Sequence, residues 1–218
     1  MRIEKDSLGE IQIPDDAVYG IHSLRSVNNF PKSGEKINPY LIKAYLQVKM
    51  AASETNYKCG ILFKEKYDAI DEAIRLLINE TDDCINGSSE SIYDKIIVDP
   101  YQGGAGTSLN MNVNEIISNT ALKILRKQYG DYSAVHPLDD VNLSQSTNDT
   151  YPTSLRIASI YLLRELADSF SHLQNVLQKK EKEFRNVLKL GRTQFQDAVP
   201  ITLGQEFGAY AQAIARDR

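Results

Sequence analysis

Three polar segments carry most of the chain's capacity for chemistry. Residues 102–115 (QGGAGTSLNMNVNE), 142–149 (NLSQSTND) and 191–197 (GRTQFQD) hold Thr107, Ser108, Asn142, Ser144, Gln145, Ser146, Thr147, Asn148, Thr193, Gln194 and Gln196, with Arg192 beside them. Hydroxyls and amides donate hydrogen bonds to carboxylate or phosphate oxygens. Gly103, Gly104 and Gly106 free the backbone so that successive N–H groups can face one point. A helix starting directly after them favours an anion there. Each segment reads as lying beside a helix start, so capping and turn formation account for any one of them. Together, eleven such residues exceed what three caps require. They predict one site for a small, multiply charged anion.

Other phosphate and nucleophile motifs do not fit. GGAGTS has no lysine after its last glycine, as a phosphate-binding P-loop requires, and it lacks G-x-G-x-x-G spacing. G-x-S-x-G is absent, so no hydrolase elbow is present. No cysteine–histidine cluster suggests a metal. From the residues alone, the reading is a helical protein that binds a small anion.

The elements that must position these segments are mostly helical. Residues 2–13 read as a short hairpin turning at Asp6-Ser7-Leu8-Gly9. Residues 19–30 (YGIHSLRSVNNF) have no clean period; His22 and Arg25 there read as a surface cluster fixing a loop, or else as contacts to a ligand or a neighbouring subunit. Asn38-Pro39 opens a helix that Cys59-Gly60 closes. Phe63, Tyr67, Ile70, Ile74 and Leu77 mark a second helix whose aromatics belong to the core. Residues 87–90 form a turn. After the glycine-rich stretch, Val113, Ile116, Ile117, Ala121, Ile124 and Leu125 give another helix that ends near Gly130. Residues 131–149 read as a loop.

The longest element runs from Pro152, placed in a first turn, to about Lys189, with Leu155, Leu162, Leu166, Leu173, Leu177, Phe184 and Leu188 on one side. At about 1.5 Å per residue it spans roughly 57 Å, so its apolar stripe needs equally long partners. A last helix follows Pro200, and the chain stops inside it with no closing residue, so the sequence reads as a truncated piece of a longer protein. The fold class expected is mostly α: a small N-terminal domain with a short β-hairpin, residues 1–141, followed by the start of a long-helix bundle, residues 142–218.

Bulk properties narrow the setting. With 42% hydrophobic and 25% charged residues, the 218-residue chain has enough apolar material for a real core. A net charge of −4 and a pI near 5.5 give no basic field for nucleic acid or an anionic membrane. No apolar run approaches a membrane span, and MRIEKDSLGE lacks a signal-peptide core. Cys59 and Cys84 read as reduced thiols, and the expected location is cytoplasmic.

The three segments, in this order, resemble the signature regions of the fumarase/aspartase superfamily, and residues 2–30 resemble its amino-terminal segment. Within it, the aspartase branch is favoured over class II fumarases by Ala105 before Gly106-Thr107, by Thr147, by residues 19–25 (YGIHSLR) and by Gln194, where fumarases place histidine. The resemblance implies reversible elimination of ammonia from L-aspartate to give fumarate, with no organic cofactor, and no metal ligand is assigned among the residues. A base takes a proton beside a carboxylate, and charge builds there as an aci-carboxylate. It implies that Thr107, Ser146 and Thr147 hold the β-carboxylate, Asn148 and Gln194 lie near the amino group, and Thr193 lies near the α-carboxylate. It also implies a homotetramer around a long helical bundle.

The family's base is a serine on a glycine- and serine-rich loop followed by lysine and asparagine. No such pattern occurs in residues 1–218; Gly87-Ser88-Ser89 continues as Glu90-Ser91-Ile92-Tyr93. No catalytic residue is therefore assigned on this chain, and the base belongs to the missing carboxy-terminal half. In fumarases the segment matching residues 136–142 forms a peripheral anion site; Leu138 replaces its usual asparagine, and His136 reads as a loop histidine hydrogen-bonded locally. Class II fumarase chemistry, or a non-catalytic piece that only folds or assembles, are the other two readings.

Overall fold

Asp6 and Gly9 make the first turn. In a computed structural model, which describes residues 1–30 and 32–218, β1 (Arg2–Asp6) pairs antiparallel with β2 (Gly9–Ile13), Asp6 facing Gly9. Asp6 Oδ1 accepts the Leu8 N–H at 2.9 Å, and Gly9 takes a φ of +117°.

Three helices build the core. α1 (Ile21–Asn29) precedes α2 (Pro39–Lys58), where the Asn38 side chain accepts the Tyr40 N–H at 2.9 Å and Pro39 takes the first helical position. α3 (Lys64–Ile85) and α4 (Thr107–Ile124) follow. Ile42, Leu46, Ile70, Ile74, Leu77, Leu109, Ile116 and Ile117 from α2, α3 and α4 are completely buried. Each such side chain contributes about 1.5–3 kcal/mol.

Several expectations change. Residues 21–29 form α1 although their pattern has no clean period, because its first N–H groups are bonded by a distant side chain, Glu115. Phe63 is 79% exposed and precedes α3, so it is not core; Tyr67 stacks on Tyr57 with ring centroids 4.4 Å apart. The expected loop of residues 131–149 contains a π-type turn, Pro137–Val141, and the first residues of α5.

α5 runs Thr147–Glu183, so it starts five residues before Pro152 and ends before Lys189. The Ser146 carbonyl accepts the Asp149 and Thr150 N–H groups at 3.0 Å, which forms the first turn upstream of the proline. Pro152, inside the helix, has no N–H to give to the ladder.

A second hairpin was not legible as such. β3 (Leu188–Thr193) pairs antiparallel with β4 (Gln196–Thr202), and α6 (Leu203–Asp217) follows, opened by a Thr202–Gln205 capping box. Phe184 and Leu188 fit a helical period, which concealed the strand. The chain divides into two compact units, Met1–Ser159 and Ile160–Arg218, and the division falls inside α5. Among the described residues, no helix is long and apolar enough to cross a membrane.

Candidate functional site

The glycine-rich stretch becomes a tight turn at the start of α4. Gly106 takes a left-handed φ of +83°, and a Cβ there would lie 2.0 Å from the Tyr151 ring. A Cβ on Gly103 would lie 2.6 Å from the Phe30 ring. Both positions need glycine for space, and Gly106 needs it for conformation as well. Gln102 holds the turn, donating to the Asp99 carbonyl at 3.0 Å and accepting the Leu109 N–H at 2.8 Å. Among the described residues no acceptor takes the Thr107 or Ser108 N–H. Those two donors sit at the positive end of the helix dipole, the arrangement that favours an anion.

Thr107 and Ser108 open onto a cleft of about 550 Å³, also lined by His22, Arg25, Ser26, Asn29, Phe30 and Met111. Arg25 is committed elsewhere: its guanidinium donates to both Asp6 oxygens at 2.6 and 2.7 Å and to the Gly9 carbonyl at 3.1 Å. Hydrogen bonding from Arg25 holds the Asp6 carboxyl below its usual pKa. Arg25 thus fixes the first hairpin, while His22 and Ser26 from the same helix line the cleft. Ser26 and Asn29 carried no sequence signal beyond their place in α1.

α4 is buried all round from Leu109 to Asn119, and its polar side chains each fasten a separate piece of chain. Glu115 is the main anchor. Its carboxylate accepts the Gly20 and His22 N–H groups at 2.8 Å, the Ser23 N–H at 3.1 Å and the Ser23 hydroxyl at 2.5 Å. Burial pushes its pKa up, and the Ser23 hydroxyl and these N–H donors oppose that rise. Asn112 accepts the Ile97 N–H at 2.9 Å and donates to the Lys95 carbonyl at 2.9 Å. Ser118 donates to the Val135 carbonyl at 2.6 Å, and Asn119 to that of Val18 at 2.8 Å. The apolar period marked this helix; nothing in the period marks its asparagines as loop anchors.

The second segment folds on itself. Asn142 donates to the Gln145 carbonyl at 3.1 Å, and Gln145 donates to the Val141 and Leu143 carbonyls at 2.9 and 3.2 Å. Ser146 Oγ accepts the Asn148 N–H at 3.2 Å, so it caps α5. Ser146 and Asn148 are exposed and Thr147 is half-buried. Thr147 lies one helical turn before Tyr151, whose ring abuts Gly106, so the starts of α4 and α5 meet. The cleft that Thr107 lines includes none of Ser146, Thr147 or Asn148. His136 is a cap: its Nδ1 accepts the Leu138 and Asp139 N–H groups at 3.2 and 3.1 Å.

Thr193 and Gln194 belong to the second unit. They lie at the tip of the β3–β4 hairpin, so this segment sits in a strand turn and not beside a helix start. Gln194 and Phe195 both take positive φ, +44° and +60°, as a two-residue turn of this hand requires. Neither is glycine, which makes the tip strained. Thr193 Oγ1 donates to Gln194 Oε1 at 2.9 Å, Arg192 pairs with Asp197, and Phe195 is fully exposed. Among the described residues no three His, Cys, Asp or Glu side chains group as metal ligands, and Cys59 and Cys84 are free thiols.

A family model described as Lyase matches residues 9–218, and the chain belongs to that family, within the fumarase/aspartase superfamily. More particularly, it resembles aspartate ammonia-lyases: one from a Bacillus species is 48% identical over 217 residues, covering 100% of this chain and 44% of the relative. The crystal structure of a fumarate lyase:delta crystallin from Brucella melitensis matches with a TM-score of 0.86 and 47% identity, covering 100% of this chain and 47% of that one. A class II fumarase from Schistosoma mansoni matches with a TM-score of 0.84 and 34% identity, over 99% of this chain and 43% of that one. The chain spans less than half the length of the relatives it matches.

Proposed function

We propose that this chain provides substrate-binding and charge-stabilising parts of an aspartate ammonia-lyase, which eliminates ammonia from L-aspartate to give fumarate. The observation that carries this reading is the turn at Gly106, which leaves the Thr107 and Ser108 N–H groups and the Thr107 hydroxyl at an open helix start. Removing a proton beside a carboxylate loads negative charge onto its oxygens. Donors already fixed where that charge develops lower the barrier without reorganising. Thr107, Ser146 and Thr147 serve the β-carboxylate, Asn148 and Gln194 the amino group, and Thr193 the α-carboxylate.

No residue of this chain takes the part of the base; a serine loop elsewhere in the complete protein supplies it. Assembly into a tetramer accompanies this reading. It is supported by the apolar side chains that the second unit leaves exposed, among them Leu163, Leu166, Leu188, Phe195 and Val199.

The fumarase structural match favours malate as the rival substrate. Assaying the complete gene product with L-aspartate and with L-malate separates the two. Fumarate appears from L-aspartate if the proposal holds, and preference for L-malate moves the assignment to fumarase.

A further inference from the structure

Lys49 on α2 is only 1% exposed. Burial alone lowers its pKa from 10.5 to about 7, with no charged partner to offset the loss of water. An apolar side chain would be the more stable occupant of such a place. Its ammonium donates to Asn142 Oδ1 at 2.8 Å, and the same oxygen accepts Asn110 Nδ2 at 3.1 Å and Asn114 Nδ2 at 3.2 Å. One turn earlier on α2, the buried Tyr45 hydroxyl donates to Asn110 Oδ1 at 3.1 Å and lies 2.9 Å from Thr150 Oγ1.

The spacing makes a clamp. Tyr45 and Lys49 are four residues apart on α2, and Asn110 and Asn114 are four apart on α4, so each pair shares a helix face. Together they grip Asn142 and Thr150, the two ends of the stretch that carries Ser146, Thr147 and Asn148. In the middle of that stretch Ser146 and Asn148 are exposed, Thr147 is half-buried, and the Ser146 hydroxyl bonds only the Asn148 N–H. Asn56, also on α2, donates to the Leu143 carbonyl at 2.8 Å, a further hold near the start of this stretch. Nearby, Asn114 Oδ1 and Gln145 Oε1 are buried without a hydrogen-bond partner among the described residues.

We propose that Lys49 is a positioning residue for the Ser146–Thr147–Asn148 turn, acting through Asn142 on a clamp that Tyr45 and Thr150 close at the far end. Its link to catalysis rests on the reading of those three residues as substrate donors. The clamp itself does not.

The test is Lys49→Met in the complete gene product, which keeps an unbranched stem and removes the amino group. Amide hydrogen exchange by mass spectrometry should speed up at least tenfold across residues 142–150 and stay unchanged across residues 64–85. The melting temperature should not fall, and kcat/KM for L-aspartate should drop at least tenfold. Unchanged exchange at 142–150 overturns the proposal. So does a lowered melting temperature with faster exchange throughout residues 1–159, the signature of a merely structural lysine. Tyr45→Phe is the second variant: it should speed exchange at residues 146–150 alone, and no change there overturns the clamp. Local loosening in a protein whose wild type does not turn over L-aspartate leaves the positioning intact and overturns the functional assignment instead.

Discussion

Gly106→Ala concentrates the geometry of the site into one methyl group. The new Cβ would sit 2.0, 2.3 and 2.4 Å from three atoms of the Tyr151 ring, so the ring or the α4 start must shift by more than an ångström. Overpacking of this kind costs about 1–3 kcal/mol. Holding alanine at a φ of +83° adds about 1 kcal/mol. The sum, about 2–4 kcal/mol, corresponds to a fall of roughly 5–15 °C in melting temperature for a chain of this size.

The two parts separate in a double-mutant cycle with Tyr151→Ala, which removes the ring but leaves the φ requirement. In that background Gly106→Ala should cost only about 1 kcal/mol, giving a coupling of about 2 kcal/mol. Calorimetric melts of the four proteins decide it. Additive effects, or a Gly106→Ala melt equal to that of the wild type, refute the claim that the ring of Tyr151 and the turn at Gly106 are packed against each other.

Lys49 makes a second prediction, through pH. Its pKa is about 7 folded against 10.5 in the ordinary state, so the unfolded chain binds the extra proton between these values and stability rises with pH. Relative to Lys49→Met, the wild type should gain about 2.5 kcal/mol of unfolding free energy from about pH 7.5 to about pH 9.5, read by urea denaturation. A flat difference rejects a lysine buried without a charged partner. At the β3–β4 tip, Phe195 has a φ of +60° and packs on nothing in its own unit, so Phe195→Gly should stabilise residues 1–218 by about 0.5–1 kcal/mol. Destabilisation in the same denaturation assay contradicts the strain assigned there.

The helical class, the first hairpin and the limits of α2 follow from cues confined to a few residues, such as the Asp6–Gly9 turn, Asn38-Pro39 and Cys59-Gly60. Period alone placed the buried faces of α3 and α4. What escaped is what depends on distant partners. α1 is invisible in its own nine residues because Glu115, more than ninety positions away, bonds its first N–H groups. β3 escaped because Phe184 and Leu188 continue the helical period of α5, although Leu188 already belongs to the strand.

The site shows the same division. Residue types and glycines announced an anion nest at Thr107, and the turn with its open N–H groups is there. The clamp on Asn142 and Thr150 was not legible, since Tyr45 and Lys49 read as ordinary positions of a helix. His22 was noticed, but its place on the cleft wall required knowing that α1 packs beside α4.

The account turns on whether the α4 start holds charge that develops on the substrate. Thr107→Val in the complete gene product keeps the side-chain shape and deletes the hydroxyl, and steady-state kinetics with L-aspartate read the outcome. Loss of one donor to a developing oxyanion costs about 3 kcal/mol, so kcat/KM should fall roughly a hundredfold or more with the melting temperature unchanged. A variant with wild-type kcat/KM would contradict the account, because the hydroxyl at the head of α4 would then carry none of that charge.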